Sequence, residues 1–412
     1  MDNSSRLSSV PVTYPLICLG FASGLPLILT DSTLKLWIQD AKVPLQTIGF
    51  FALVQLPYNL KFLWAPLLDR YALPFLGRRR GWLLVTQILI AGALAAMAFG
   101  DPVGRLSLLA ALACGVAFLS ASQDIVSDAW RTETLPRSQQ ATGTTTHIAA
   151  YRVAILMASA VALTLADHFG WRVTYLVMAC SMLPGILGTL LAKEPNDAGA
   201  PRNLRDAVVE PFRNFLSRPG ALWALLFIVL YKVGDQLASS LTPNFLRQVG
   251  FSKTLLGTVM KGVGLPALII GGYLGALLMK RWPLRKALFV FGLVQIAAIL
   301  VLLVPLATGP RVGALIASIG LENLGFGMGV SAYMTLIMRL CDLRFTATQF
   351  SLLTSVAALP RTFLAAPMGI AAKHMGWKGY FILCAFTALP ALLMLSRYDR
   401  WGVSEETSDL AQ

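Results

Sequence analysis

The sequence predicts an all-α integral membrane protein with twelve transmembrane helices in two six-helix bundles and both termini in the cytoplasm. Three observations carry this. The 412 residues are 56% hydrophobic and 13% charged, where a soluble domain carries ~25% charged residues to cover its surface. Twelve apolar stretches approach the ~20 residues that a bilayer-crossing helix needs. The Lys and Arg residues concentrate in alternate loops, as cytoplasmic retention of positive charge demands.

The first six stretches lie at 12–30, 46–68, 82–99, 106–128, 145–166 and 171–192. The second six lie at 221–243, 254–279, 286–307, 311–338, 347–371 and 377–396. Their Gly and Pro residues are compatible with membrane helices, whose neighbours satisfy the freed backbone groups. Of 34 basic residues, twenty fall in the termini and the even-numbered loops, nine on the opposite side and five within spans. That bias places the termini inside. It also accounts for the net charge of +14 without nucleic acid. The longest hydrophilic segment, 193–220, divides six spans from six. The expected domains are therefore an N-terminal bundle at 1–192, a cytoplasmic linker at 193–220, and a C-terminal bundle with a short tail at 221–412. Residues 36–49 and 244–257 echo each other about 208 positions apart, and each precedes an apolar span and a basic loop. With the 6+6 count this reads as two parallel repeats.

Five cysteines lie far apart without C-x-x-C spacing, and reduced thiols are expected. Gly325-x-Gly327-x-Gly329 and Gly271-x-x-x-Gly275 fall inside spans, where small residues serve close helix packing. No Walker A pattern, His-based metal spacing or nucleophile elbow is present. The expectation is a non-enzyme with no cofactor and no metal.

An ionisable side chain at mid-membrane costs about 2.5–3.5 kcal/mol on insertion scales, so each such residue marks a candidate site. The bases within spans are Lys61, Arg152, Lys232, Lys261 and Arg361; the acids are Asp124, Asp128, Asp235 and Glu322. Asp124 and Asp128 are i and i+4, on one helix face beside Gln123. Two close carboxylates resist double ionisation, which suits proton coupling. Asp128 pairing with Arg131 at the interface is the plainer alternative. Lys232 and Asp235, at i and i+3, are suited either to a functional switch or to a structural ion pair. Glu322 needs a partner from another helix, with Arg361 and Lys232 as candidates, and a helix–helix bridge is its plainer reading. The set is slightly cationic, which favours an anionic substrate. Tyr151-Arg152 and Pro360-Arg361 offer forked guanidinium donors for carboxylates.

The loop after the second span, Asp69-Arg70…Gly77-Arg78-Arg79-Arg80, resembles the major-facilitator loop signature with stretched spacing. Positive-inside charge alone is the competing explanation. Further motifs resemble the AmpG muropeptide permeases. They begin with Phe21-Ala22-Ser23-Gly24-Leu25-Pro26, Pro57-Tyr58-Asn59-Leu60-Lys61-Phe62-Leu63-Trp64 and Gly77-Arg78-Arg79-Arg80-Gly81-Trp82. Ser122-Gln123-Asp124-Ile125-Val126-Ser127-Asp128-Ala129-Trp130 follows, then Lys232-x-Gly234-Asp235 and Leu321-Glu322-Asn323-Leu324. Met338-Arg339-Leu340-Cys341, Phe345-x-Ala347-Thr348-Gln349 and Leu359-Pro360-Arg361 complete the series, which runs nearly the whole chain in order.

The resemblance implies a major-facilitator secondary transporter of a bacterial inner membrane. It would import N-acetylglucosaminyl-anhydromuramyl peptides from periplasm to cytoplasm, driven by protons, for peptidoglycan recycling. Its partners would be an anionic glycopeptide, protons and the lipid bilayer, with no nucleic acid, and a monomer is expected. The expected substrate-binding residues are Lys61, Gln123, Tyr151, Arg152, Lys232, Glu322, Asn323 and Arg361. Asp124, Asp128, Asp235 and Glu322 are expected to couple protons. Asp69, Arg70 and Arg131 are expected to act at the cytoplasmic gate. Two other readings stand beside this one: a transporter of another anionic solute, such as a siderophore, an acyl-CoA-like compound or a peptide, and a membrane-bound enzyme or sensor.

Overall fold

A computed structural model describes residues 11–196, 199, 201, 203–401 and 403; the side chains of 45, 46, 49, 52 and 360–367 lie outside the described set. Every described element is helical. The principal helices are α1 (Thr13–Leu29), α2 (Ser32–Asp40), α3 (Arg78–Met97), α4 (Leu106–Thr134), α5 (Gln140–Leu156), α6 (Ala162–Cys180) and α7 (Leu183–Leu191). They continue as α8 (Leu204–Leu216), α9 (Ala221–Val249), α10 (Lys253–Val259), α11 (Leu265–Met279), α12 (Leu284–Val301), α13 (Val312–Leu340) and α14 (Thr346–Thr387).

Among the described residues, nine helical stretches are long and apolar enough to cross a membrane. One runs 55 residues, from Arg137 to Leu191. As a straight helix it would reach about 80 Å at 1.5 Å per residue, far beyond a ~30 Å hydrocarbon core. It is not straight: Gly170 takes φ 78° and breaks it. Gly376 does the same within α14 at φ 68°. The stretch expected at 46–68 differs from a regular span. It consists of short helices at Leu45–Phe50, Leu56–Leu60 and Ala65–Arg70 joined by tighter turns. Pro57 and Pro66 open two of these pieces, because proline removes an amide donor and restarts a helix rather than continuing one.

The chain forms two compact units. One takes residues up to Pro136, Thr146–Pro211 and Asp342–Ser351; the other takes Arg137–Thr145, Phe212–Cys341 and residues from Leu352 onward. Each has its own apolar core. In the first, Trp37 lies 4.9 Å from Tyr175, over Leu25, Ile90 and Val116. In the second, Phe245 meets Phe381 edge-on at 4.9 Å, beside Leu237 and Ile319.

Glycines set the closest helix contacts. In the second unit, a Cβ on Gly271 would collide with the Leu324 carbonyl, and one on Gly327 with that of Leu268. The backbones of α11 and α13 thus touch, as small-residue spacing allows where lipid gives no hydrophobic drive to association. In the first unit, Gly20 and Gly24 of α1 leave room for the carbonyls of His147 and Tyr151 on α5.

Candidate functional site

In the first unit, α4 carries Gln123, Asp124, Asp128, Arg131 and Glu133 on one continuous helix. Gln123 is fully buried, donates from Nε2 to Ser23 Oγ of α1 at 3.3 Å, and keeps an unpaired Oε1. A buried amide oxygen left without a partner costs about 1–3 kcal/mol. Such an atom is suited to a ligand donor. Asp124 is half-buried within electrostatic reach of Lys61, Asp128 and Arg131. Tyr151 lies in the same neighbourhood, brought there by the close approach of α5 to α1 at Gly24. Asp128 accepts from Arg131 Nη2 at 2.8 Å, one helical turn on. The plainer alternative for Asp128, a local pair, is thus present, while Asp124 has no such ion pair among the described contacts. Arg152 is half-buried beside Tyr151 on α5.

The short helix Ala65–Arg70 and the start of α3 form a second cluster in this unit. Asp69 and Arg79 are wholly buried and paired at 2.8 Å. Arg79 Nε also donates to Glu133 of α4 at 3.0 Å, and Nη1 to the Leu68 carbonyl at 3.1 Å. The other Asp69 oxygen accepts the Thr348 amide at 2.8 Å and hydroxyl at 2.7 Å, at the first turn of α14. Glu194 caps the opposite side: its carboxylate accepts the backbone amides of Arg79 and Arg80 at 2.7 and 2.9 Å. An anion there satisfies the free N–H groups and the dipole at the start of α3. The basic run is therefore more than a topological signal, since its middle member is fully internal. Of the expected gate residues, Asp69 is paired with Arg79. Arg70 sits over the Tyr71 ring at 5.5 Å, and Arg131 sits with Asp128 and over Phe350 at 5.8 Å.

In the second unit, α9 presents Lys232 and Asp235, both buried, with Nζ donating to Asp235 Oδ2 at 2.6 Å. Lys232 also donates to Gln295 Oε1 of α12 at 2.8 Å and faces the Phe326 ring of α13 at 4.3 Å. Gln295 Nε2 donates to Tyr231 Oη at 3.1 Å, and the Tyr231 and Tyr333 rings stack at 5.8 Å. A buried ammonium has three donors to satisfy, and the carboxylate, the amide and the π face divide them. Glu322 is half-buried on α13 in the field of Asp235 and Lys232. Its carboxylate accepts from Asn323 Nδ2 at 2.7 Å. Arg361 lies in α14, and its side chain is outside the described set.

Sequence reasoning did not single out Arg79, Glu133 and Thr348 as one network, nor Gln295 and Phe326 as partners of Lys232. Gln295 could have been noticed as a polar residue in an otherwise apolar span. The contact of Thr348 with Asp69 joins positions 279 apart, and nothing local in the chain signals it.

The sequence profile of the Major Facilitator Superfamily matches residues 16–365. The chain is 45% identical over 393 residues to an anhydromuropeptide permease of Escherichia coli K12, covering 95% of this chain and 80% of that protein. It is 39% identical over 411 residues to an uncharacterized protein of Haemophilus influenzae, covering 95% of this chain and 96% of that one. Among solved structures, the E. coli fucose:proton symporter FucP matches with a TM-score of 0.69 at 16% identity, covering 96% of this chain and 98% of that one. The proton:xylose symporter XylE matches with a TM-score of 0.70 at 11% identity, covering 96% of each. Those two likenesses bear on the fold alone. The profile match and the helical architecture together make this a multi-pass membrane transporter, not an enzyme, and the chain belongs to the Major Facilitator Superfamily.

Proposed function

We propose that this chain is a proton-coupled permease that imports anhydromuropeptides across a bacterial inner membrane for peptidoglycan recycling. The observation that carries this is the 45% identity, over 95% of the chain, to the E. coli anhydromuropeptide permease. The chemistry of the two units is consistent with it. A muropeptide carries sugar hydroxyls and amides, which suit the unpaired Gln123 oxygen and Tyr151. It also carries peptide carboxylates, which suit Lys232, Arg152 and Arg361.

The coupling we propose runs through the buried pair. While Asp235 is ionised it holds Lys232. When Asp235 is protonated the ammonium loses its counter-charge, and a substrate carboxylate can replace it. Asp124 and Glu322 are the other proton acceptors in this scheme, with Asp128 held by Arg131 as a modulator of Asp124. Asp69 acts as a latch on the first turn of α14, and Arg70 and Arg131 are the other cytoplasmic gate residues of this reading. Twelve crossings, cytoplasmic termini, a monomer, and alternating access between two bundles complete the proposal.

The experiment is uptake of labelled anhydromuropeptide into proteoliposomes, with and without an imposed inward proton gradient. The expected result is gradient-stimulated uptake that unlabelled muropeptide competes away. Uptake that ignores the gradient overturns the coupling. No uptake by folded protein overturns the substrate.

A further inference from the structure

The second unit contains an open cavity of about 900 Å³ at the C-terminal end of α9, away from the buried charges. Its walls carry Arg247, Lys253 and Lys373, with Asn244, Gln248 and Trp377, and no acid is among its described lining residues. The volume is within the ~300–1,000 Å³ range of small-molecule sites.

Local structure fixes these groups. Gly250 closes α9 at φ 116°, and the turn that follows brings the Phe251 carbonyl back to accept from Arg247 Nη1 at 2.8 Å. One arm of the guanidinium is thereby anchored while its other donors stay available to the cavity. Trp377 is held by its indole N–H, which donates to Gln248 Oε1 at 2.8 Å, and by the Phe245 ring at 5.4 Å. The helix break at Gly376 sets Lys373 and Trp377 on either side of the same bend. The result is an anchored fork, two flexible cations and a fixed indole edge around one space.

The position of these charges is informative. With the N-terminus inside, this end of α9 is extracytoplasmic, the side from which Lys and Arg are depleted. Only nine bases of the sequence are assigned to that side, and Arg247, Lys253, Lys373 and Lys378 are four of them. Charge retention cannot account for a cluster on the wrong side of the membrane, whereas attraction of anions from the extracytoplasmic space can.

We infer that this cavity is a capture site for the peptide carboxylates of the transported solute, loading it before it reaches the buried Lys232–Asp235 region. The proposal rests on the import reading above. Arg247 takes a carboxylate through its free donors, Lys253 and Lys373 supply long-range attraction, and Trp377 packs against the sugar or peptide backbone.

The experiment compares wild type with Lys253→Gln/Lys373→Gln in proteoliposomes, using anhydromuropeptide and the same compound with its peptide carboxylates amidated. The double variant should raise KM for the acidic compound by about 3–10-fold, the scale of two partly screened surface charges, and leave the maximal rate unchanged. Raised salt should shrink the difference, and the amidated compound should show none. A Lys253→Arg/Lys373→Arg variant should behave as wild type. In parallel, binding of an N-acetylated acidic peptide to purified protein is read from Trp377 fluorescence, with Trp377→Phe as the blank. Unchanged KM with intact transport refutes the capture site and spares the import reading. Wild type that transports no anhydromuropeptide, yet binds the acidic peptide in a Lys253- and Lys373-dependent way, refutes the import reading and spares the cavity. An equal KM change for both compounds refutes the carboxylate assignment.

Discussion

Arg79 donates to Asp69 at 2.8 Å, and neither side chain is reached by solvent. Arg79 also bonds Glu133, and Arg78 Nη2 lies 3.9 Å from the same carboxylate, so two cations serve two acids. Amides complete the shell of Asp69, which accepts those of Ala347 and Thr348 at the start of α14. Removing one member of a buried ion network costs about 3–5 kcal/mol, since its partner is left charged and unpaired. Asp69→Ala should therefore lower the denaturation midpoint of the purified protein substantially. Asp69→Asn, which keeps the shape and some hydrogen bonds, should lose less. Arg79→Lys should resemble the alanine variant more than wild type, because an ammonium cannot span Asp69, Glu133 and the Leu68 carbonyl as the guanidinium fork does. Three wild-type melting curves would remove the network from any account of stability.

Gly271 and Gly327 face backbone across the α11–α13 contact. Adding a side chain at either position has no space to use, and a carbonyl cannot yield as a flexible side chain would. Gly271→Leu and Gly327→Val should each cost about 1–3 kcal/mol, with overpacking the cause. Gly313, whose Cβ direction is open, is the control. Gly313→Leu should leave thermal stability within about 0.5 kcal/mol of wild type, as surface changes do.

Much of this was legible in the chain. Apolar length and the loop distribution of Lys and Arg pointed to a helical membrane fold, because bilayer thickness and charge retention act on sequence directly. The i, i+3 spacing of Lys232 and Asp235 pointed to a pair on one helix, and the pair is there. What sequence could not supply was contact across the chain. Thr348 reaches Asp69 only through packing, and Gln295 reaches Lys232 from another helix. The segment around Pro57 and Pro66 read as one apolar span, but proline chemistry divided it into short pieces.

Lys232 and Asp235 give a stability result and a transport result that separate. Lys232→Met leaves Asp235 buried without a cation and should cost about 3 kcal/mol or more. Lys232→Met/Asp235→Leu removes both charges, and replacing a buried pair by apolar groups is often neutral or better. The double variant should then melt near wild type while its muropeptide uptake falls to the level of empty liposomes. A stable double variant that still transports would make the pair purely structural.

Asp124 and Glu322 are each half-buried and lie in the fields of nearby bases, one in each unit. Asp124 is near Lys61, and Glu322 is near Lys232. If either carboxylate carries the coupling proton, a neutral isostere mimics its protonated state permanently. Asp124→Asn or Glu322→Gln should then keep substrate exchange between equal pools, which needs no net proton movement, and lose accumulation against a gradient. The loss expected for the residue that couples is the whole gradient-dependent component, not a fraction, because a fixed proton cannot be released. Measuring counterflow and gradient-driven uptake on the same vesicles makes the distinction. Loss of both would assign the residue to binding, since exchange itself requires substrate to be held. Retention of both in each single variant and in the double variant would leave Asp235, paired with Lys232, and Asp128, paired with Arg131, and one of Asp235→Asn and Asp128→Asn would then have to show the split pattern or the coupling scheme fails.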